Sequence, residues 1–257
     1  MVHSTLAELV RFRGHNGDDV DGYYARPLGA GPFPGLVVIH HAPGLDEETM
    51  DVTRRLAARG FATLTPHLYT RESRDVDPPT AAKLVRSGGG LRDDQVLGDV
   101  AGAVARLRSE IFNSGRVGLL GFCSGGRQAY LAGCGIPVDA VIDCYGGSVV
   151  TPPDKLTAGR PIAPIDLTAG LTCPVLGIFG GQDPHVPPEH IAAIEQRMSA
   201  EGKQFEYQVY PDAGHAFLGH YHVSYRVEAA ALAWERIFEF LDRTLRPTPA
   251  GYASSAL

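Results

Sequence analysis

The stretch GLLGFCSGGRQAY, residues 118–130, decides the fold. An apolar run enters Gly121-Phe122-Cys123-Ser124-Gly125, and a helical pattern follows it. This G-x-C-x-G pattern predicts a tight strand-to-helix turn with Cys123 at its tip, because its two glycines remove side chains where strand and helix approach closely. The positive end of the helix favours a thiolate there. We therefore predict that Cys123 is a nucleophile. The alternative is a buried core cysteine in a glycine-rich turn.

On both sides of this turn, apolar strand-like runs alternate with helical patterns. The predicted strands are 35–41, 61–66, 116–122, 138–146, 174–181 and 204–211, and the predicted helices are about 47–59, 91–110, from 124 onward, 187–202 and 227–245. Residues 1–30 add two antiparallel edge strands, 6–14 and 19–27. The pattern is typical of βαβ units. It predicts an α/β fold with a mostly parallel central sheet of about eight strands, flanked by helices.

The length of 257 residues suits one domain, 1–257, with a flexible tail at 247–257. Two long segments, 75–90 and 148–170, interrupt the alternation of strands and helices. In doubly wound folds, loops at the carboxyl edge of the sheet form the ligand crevice. We expect both segments to lie over that edge.

The charge balance and the cysteines limit the possible partners and locations. A net charge of −6 argues against nucleic acid as a partner, and no apolar run is long enough to suggest a membrane span. The N-terminus lacks the pattern of a secretory leader, so we expect a cytoplasmic location. The four cysteines have no CxxC spacing, and we expect reduced thiols.

A nucleophilic thiol needs a base and an acid that orients the base. Asp183 follows the strand at 174–181, and His215 follows the last strand at 204–211. The order nucleophile, acid, histidine predicts that Asp183 is the acid and His215 the base. Asp143 and Asp212 are competing candidates for the acid.

Ser124 is a rival nucleophile because it neighbours Cys123. It lies one residue past the tip of the turn, so we expect its backbone N–H, rather than its hydroxyl, to bind the oxyanion.

Ten histidines raise the question of a metal. The candidates are His40-His41 and the pair His220 and His222. Neither has the i, i+4 helical spacing or the nearby cysteines of a zinc site. We therefore expect no metal and no cofactor.

The chain resembles the dienelactone hydrolase family of α/β-hydrolases from about residue 35 to 245. The matching pieces are GFCSGG at 121–126, GGQDPHVP at 180–187, AGHAF at 213–217 and PHLYTR at 66–71. The resemblance implies a cofactor-free Cys-His-Asp triad of Cys123, His215 and Asp183 that opens lactones and esters. It also suggests that Arg71 anchors a substrate carboxylate.

Two positions depart from the family pattern. His41 stands where family members have a glutamate that contacts the resting cysteine, and Gly219 stands where a second carboxylate-binding arginine is expected. We consider Arg226 as a replacement for that arginine. The N–H of Ala42 is the expected second oxyanion donor. His41 and Tyr145 are candidates for substrate binding or for tuning the thiol.

The sequence thus predicts a cysteine-dependent hydrolase that acts on a small ester or lactone by way of a thioester intermediate, with carboxylate-bearing substrates among the candidates. The alternatives are a broader carboxylesterase or thioesterase, a lyase or cyclase that uses the same site, and a redox-sensing or binding protein that uses Cys123. The substrate and the oligomeric state do not follow from the sequence.

Overall fold

Eight strands form one sheet in the computed structural model, which describes residues 2–246. The strands are β1 (Thr5–Arg13), β2 (Asp19–Pro27), β3 (Phe33–Ile39), β4 (Ala62–Pro66), β5 (Asn113–Phe122), β6 (Ala140–Cys144), β7 (Val175–Gly180) and β8 (Phe205–Tyr210). Their order is β1-β2-β4-β3-β5-β6-β7-β8. The pairs β1–β2 and β2–β4 are antiparallel, and the other pairs are parallel. This arrangement confirms the predicted fold class.

Six α-helices flank the sheet: α1 (Glu47–Ala58), α2 (Pro78–Ser87), α3 (Asp93–Arg108), α4 (Ser124–Gly135), α5 (Pro188–Ala200) and α6 (Val227–Leu245). Helix α2 was not expected from the sequence. The two prolines at its start and the glycines after it are typical of a loop. Proline is nevertheless favourable at the first positions of a helix. Asp77 caps the helix by accepting a hydrogen bond from the Thr80 N–H. Segment 148–170 holds two short 3-10 helices, Pro153–Lys155 and Pro164–Gly170.

The core lies on both faces of the sheet, since side chains alternate along each strand. On β5, Leu119 packs into the hydrophobic cluster of one face and Leu120 into that of the other, and both are fully buried. Because both faces of the sheet are buried in its middle, side chains that meet a substrate must lie at its edge. The loops after β5, β7 and β8 carry Cys123, Asp183 and His215.

The flexible tail, the single domain and the cellular location of the protein all stay predictions. The tail 247–257, expected to be flexible, lies outside the described residues, and the single domain 1–257 is likewise a prediction. Within residues 2–246, no helix combines the length and the apolar composition that crossing a bilayer requires. The cytoplasmic location stays a prediction.

Candidate active site

Cys123 occupies a strained turn between β5 and α4. Its backbone has φ 55° and ψ −119°, a left-handed conformation that costs a non-glycine residue on the order of 1–3 kcal/mol. Two hydrogen bonds hold the turn, because the Cys123 N–H donates to the Cys144 carbonyl at 3.0 Å and its own carbonyl accepts from Gly126 N–H at 3.0 Å. This hydrogen-bonded turn places the thiol at the edge of the sheet, as the sequence pattern predicts.

The turn depends on glycine where backbones meet. A Cβ atom at Gly125 would overlap the Ile39 carbonyl oxygen at the end of β3. We expect Gly125→Ala to lower the free energy of unfolding by at least about 3 kcal/mol, or to prevent folding, because main chain cannot yield to the clash. Urea unfolding followed by circular dichroism measures the change.

Gly88→Ala is the matched control for this substitution, since a Cβ there comes no closer than 3.4 Å to Leu84 O. It should change the free energy of unfolding by less than about 1 kcal/mol. Equal stability of the two variants would contradict the close packing of the turn.

Asp183 and His215 form a hydrogen-bonded pair beside Cys123. The Asp183 side chain is fully buried, and its Oδ2 lies 2.7 Å from Nδ1 of His215. A carboxylate only accepts, so Nδ1 donates and Nε2 remains for the thiol. The other carboxylate oxygen, Oδ1, accepts from the His185 N–H at 2.8 Å. Asp183 is thereby held in place to orient the imidazole.

The environment of His215 favours its protonated form. Burial alone would lower its pKa, but the hydrogen bond to Asp183 and the contact with Cys123 outweigh burial and raise the pKa to about 9. The raised pKa favours the protonated imidazole of His215 near neutral pH. A cation in contact with a thiol stabilises the thiolate.

The competing acids lie elsewhere. Asp143 is fully buried, and its Oδ1 accepts from the Gly146 N–H at 2.7 Å, while burial raises its pKa to about 7. Asp212 is exposed in the loop after β8. Among residues 2–246, Asp183 is the carboxylate that bonds to His215.

The two expected oxyanion donors are available. Ser124 opens α4, and Ala42 lies in the loop after β3, where its carbonyl accepts from the Tyr69 hydroxyl at 3.0 Å. Within the described part of the chain, neither the Ser124 N–H nor the Ala42 N–H has a hydrogen-bond acceptor. Both are free to bind a developing oxyanion.

Two cavities meet at Cys123. The first, which we call the polar cavity, is lined by Cys123, Ser124, Arg127, Gln128, Gly147, Ser148, Arg160, His185 and His215. The second, which we call the Trp234 cavity, is lined by His41, Glu48, Thr49, Val52, Phe122, Cys123, Tyr145, Ala216, Leu218, Gly219, His222 and Trp234. A substrate bound at the thiol can therefore reach into both cavities.

Arg160 gives the polar cavity its positive charge. Its Nε donates to the Leu91 carbonyl at 3.0 Å, and no carboxylate between residues 2 and 246 lies within ion-pair distance of it. Burial and the charge of Arg127 lower its pKa, so an anion in the cavity would be a favourable partner. The Oε1 atom of Gln128 is buried there without a hydrogen-bond partner from the described residues. Segment 148–170 was expected near the site from the sequence, but no sequence pattern marks Arg160.

The two arginines predicted as carboxylate anchors lie away from both cavities. Arg71 pairs with Asp99 at 2.8 Å and with Asp18 at 2.9 Å. The Asp99 side chain is fully buried, and a buried carboxylate requires such a partner. Arg226 precedes α6 and donates to the Tyr225 carbonyl at 3.1 Å. Neither arginine lines a cavity that contains Cys123, so this geometry does not support a role for either as a substrate anchor.

Tyr145 and His41 both line the Trp234 cavity. The Tyr145 ring packs edge-on against the His215 ring, with centroids 5.3 Å apart. The Nε2 atom of His41 lies 2.7 Å from Oδ2 of Asp46, the residue that caps α1. Their predicted roles in tuning the thiol or binding substrate remain open to test.

Gly219 leaves space for two neighbouring side chains. A Cβ atom there would overlap Glu48 Oε1 and approach His222 Cδ2 to 2.6 Å. A side chain at position 219 would therefore clash with Glu48 and His222 as they are placed here.

A strained cysteine after β5, with an acid and a histidine supplied after β7 and β8 of a mostly parallel sheet, defines the α/β-hydrolase class. Comparison with known proteins narrows this class. Residues 20–245 match the model of the dienelactone hydrolase family, and the chain belongs to that family. Membership confirms the resemblance and the predicted enzyme class, a hydrolase of ester or lactone bonds.

Three relatives illustrate the match. A protein of Methylorubrum extorquens, provisionally named carboxymethylenebutenolidase, is 37% identical over 222 residues, which cover 85% of this chain and 75% of the relative. A Bradyrhizobium protein, provisionally named 2-oxo-3-(5-oxofuran-2-ylidene)propanoate lactonase, is 32% identical over 229 residues, or 89% of this chain and 91% of the relative. A provisionally assigned dienelactone hydrolase of Klebsiella pneumoniae has a crystal structure that superposes with a TM-score of 0.84 at 30% identity. The aligned region covers 94% of this chain and 100% of the Klebsiella chain.

Proposed function

We propose that the protein hydrolyses small esters or lactones through Cys123, His215 and Asp183, by way of a thioester. The observation that carries the proposal is the 2.7 Å contact between Asp183 and a histidine beside the strained cysteine. A core thiol would need neither an acid-held imidazole nor a left-handed turn. The paired acid and base also favour hydrolysis over redox sensing, which needs only the thiol.

Acylation begins with the thiolate and imidazolium that the raised pKa of His215 favours. The thiolate attacks the substrate carbonyl carbon and forms a C–S bond, while the N–H groups of Ser124 and Ala42 bind the oxyanion. When the oxyanion collapses, the C–O bond to the leaving group breaks. His215 then protonates the departing alkoxide or enolate.

Deacylation uses the same histidine as a base. Once the thiolate has become a thioester, its charge no longer raises the pKa of His215. The neutral form of the imidazole is then more favourable. Neutral His215 takes a proton from water, which attacks the thioester carbonyl. The C–S bond breaks, the product acid leaves, and the Cys123 thiolate and protonated His215 are regenerated.

The polar cavity favours a substrate with an anionic group. Arg160 offers a guanidinium without a carboxylate partner among the described residues. Charge-assisted bonds from arginine to a carboxylate are among the stronger hydrogen bonds in proteins. The name of the Bradyrhizobium relative also denotes a lactone that carries a carboxylate. We infer that the carboxylate lies in the polar cavity on Arg160.

Arg160→Ala tests this specificity. We expect KM for a carboxylate-bearing lactone or ester to rise about 10- to 100-fold, because a hydrogen bond to a charged group contributes about 1.5–3 kcal/mol. KM for the matching neutral methyl ester should change less than about threefold. Steady-state kinetics on paired acidic and neutral substrates measure the difference.

Arg226→Ala is the control, since Arg226 lines neither cavity. It should leave both KM values unchanged. Equal losses on acidic and neutral substrates in Arg160→Ala would contradict the anchoring role, and would leave the hydrolytic mechanism to be judged on its own tests.

A further inference from the structure

Three potential metal ligands converge in the Trp234 cavity. His41 follows β3, Glu48 lies on α1, and His222 lies in the loop after β8. One ligand atom from each lies within 4.8 Å of the other two. The His222 Nε2 is 3.2 Å from a Glu48 carboxylate oxygen, without the geometry of a hydrogen bond. The fold thus assembles two imidazoles and one carboxylate from three separate elements.

Neighbouring residues hold this cluster in place. Asp46 lies 2.7 Å from Nε2 of His41. In metal-bound histidines, the nitrogen that is not on the metal commonly donates to a carboxylate, and this contact has the same form. Gly219 has no side chain where Glu48 and His222 meet, and a Cβ there would overlap Glu48 Oε1.

Two of the three side chains are largely buried, and the third is partly exposed. The Glu48 side chain is 12% exposed, the His41 side chain 11% and the His222 side chain 36%. The His222 Nε2 is buried without a hydrogen-bond partner from the described residues. A cation at the centre would satisfy the Glu48 carboxylate and this nitrogen together. A simple ion pair between Glu48 and protonated His222 is the competing explanation.

We propose that His41, Glu48 and His222 form a binding site for a divalent transition-metal ion such as Zn²⁺. Two imidazole nitrogens and one carboxylate oxygen suit zinc and leave coordination positions for water or a substrate oxygen. Cys123 lines the same cavity but is not one of the three ligands. The proposed hydrolytic cycle needs no metal, so the site and the triad stand or fall separately.

Sequence spacing does not reveal this group. His41 and His222 belong to two different histidine pairs, and neither pair has the spacing of a zinc site. The fold takes one member from each pair and adds Glu48 from the first turn of α1.

The test is Zn²⁺ binding in the Cys123→Ala protein, where no catalytic thiolate competes for the ion. Isothermal titration with zinc chloride should show one equivalent bound. His222→Ala and the similarly sized Glu48→Gln, each added to Cys123→Ala, should weaken binding at least about 100-fold. This estimate rests on the 10- to 100-fold typical of losing only a supporting partner of a ligand.

His220→Ala is the control, because His220 lies in the same loop but outside the group. It should keep the affinity within about twofold. The visible spectrum of the Co²⁺-loaded Cys123→Ala protein adds a second measurement, and it should disappear in Glu48→Gln.

The proposal would be overturned by absence of stoichiometric Zn²⁺ binding in Cys123→Ala. Unchanged affinity in Glu48→Gln would also overturn it, and would favour the ion pair. Circular dichroism verifies folding. If His222→Ala does not fold, Glu48→Gln decides the question.

Discussion

Cys123→Ala should reduce kcat/KM for an activated ester or lactone by at least about 10⁴-fold, because it removes the atom that forms the covalent intermediate. The fold should persist, since alanine tolerates the small loss of volume at a half-buried position. Initial rates on a chromogenic ester measure the loss, and circular dichroism with thermal unfolding verifies the fold.

Cys134→Ala provides the matched control. Cys134 lies on the same helix as the catalytic turn but lines neither cavity, and burial raises its pKa to about 12. Its loss should leave kcat/KM within about twofold of the wild type. Activity in Cys123→Ala above a tenth of the wild-type value would contradict the nucleophile assignment.

Asp183→Asn should lower the acylation rate by about 10²- to 10⁴-fold, because an amide no longer fixes the imidazole tautomer. It should also shift the pH dependence of the acylation rate. In the wild type, the imidazolium that protonates the leaving group is lost as the pH rises through about 9, the pKa of His215. The bond to Asp183 raises that pKa, so its removal should shift the alkaline limb to lower pH.

Pre-steady-state acylation rates as a function of pH measure both effects. Asp212→Asn is the control, since Asp212 is exposed in the loop after β8. It should change neither the rate nor the limb. An alkaline limb in Asp183→Asn at the wild-type position would mean that Asp183 does not set the proton affinity of His215.

The sequence predicts the catalytic turn because its requirements are local. Gly121 and Gly125 are needed where main chain contacts main chain, and such contacts leave a readable pattern. Chain order then indicates Asp183 and His215, because the ends of parallel strands meet at one edge of the sheet. The structure brings those two residues into contact.

The residues that bind substrate cannot be predicted from local sequence in this way. Arg71 lies in a segment that matches the family, yet the buried carboxylate of Asp99, far away in sequence, binds it outside the cavities. Arg160 comes from a long segment without a recognisable pattern and lines the polar cavity instead. Which arginine remains available depends on tertiary ion pairs.

Pairs of residues distant in sequence explain the histidine cluster as well. His41 follows β3 and His222 lies in the loop after β8, and their ring centroids lie 5.6 Å apart. A side chain at position 219 would strike Glu48, so this position suits glycine here. Helical periodicity alone does not indicate that Glu48 faces the cavity.

The most direct test of the account is to locate the acyl group during turnover. At about pH 5, protonated His215 cannot act as the base for deacylation, so the acyl-enzyme should accumulate. Acid quenching of an aryl acetate reaction, followed by peptide fragmentation in the mass spectrometer, should locate one acetyl group on Cys123 as a thioester. An acetyl group on Ser124, or undiminished hydrolysis by Cys123→Ala, would contradict the central claim.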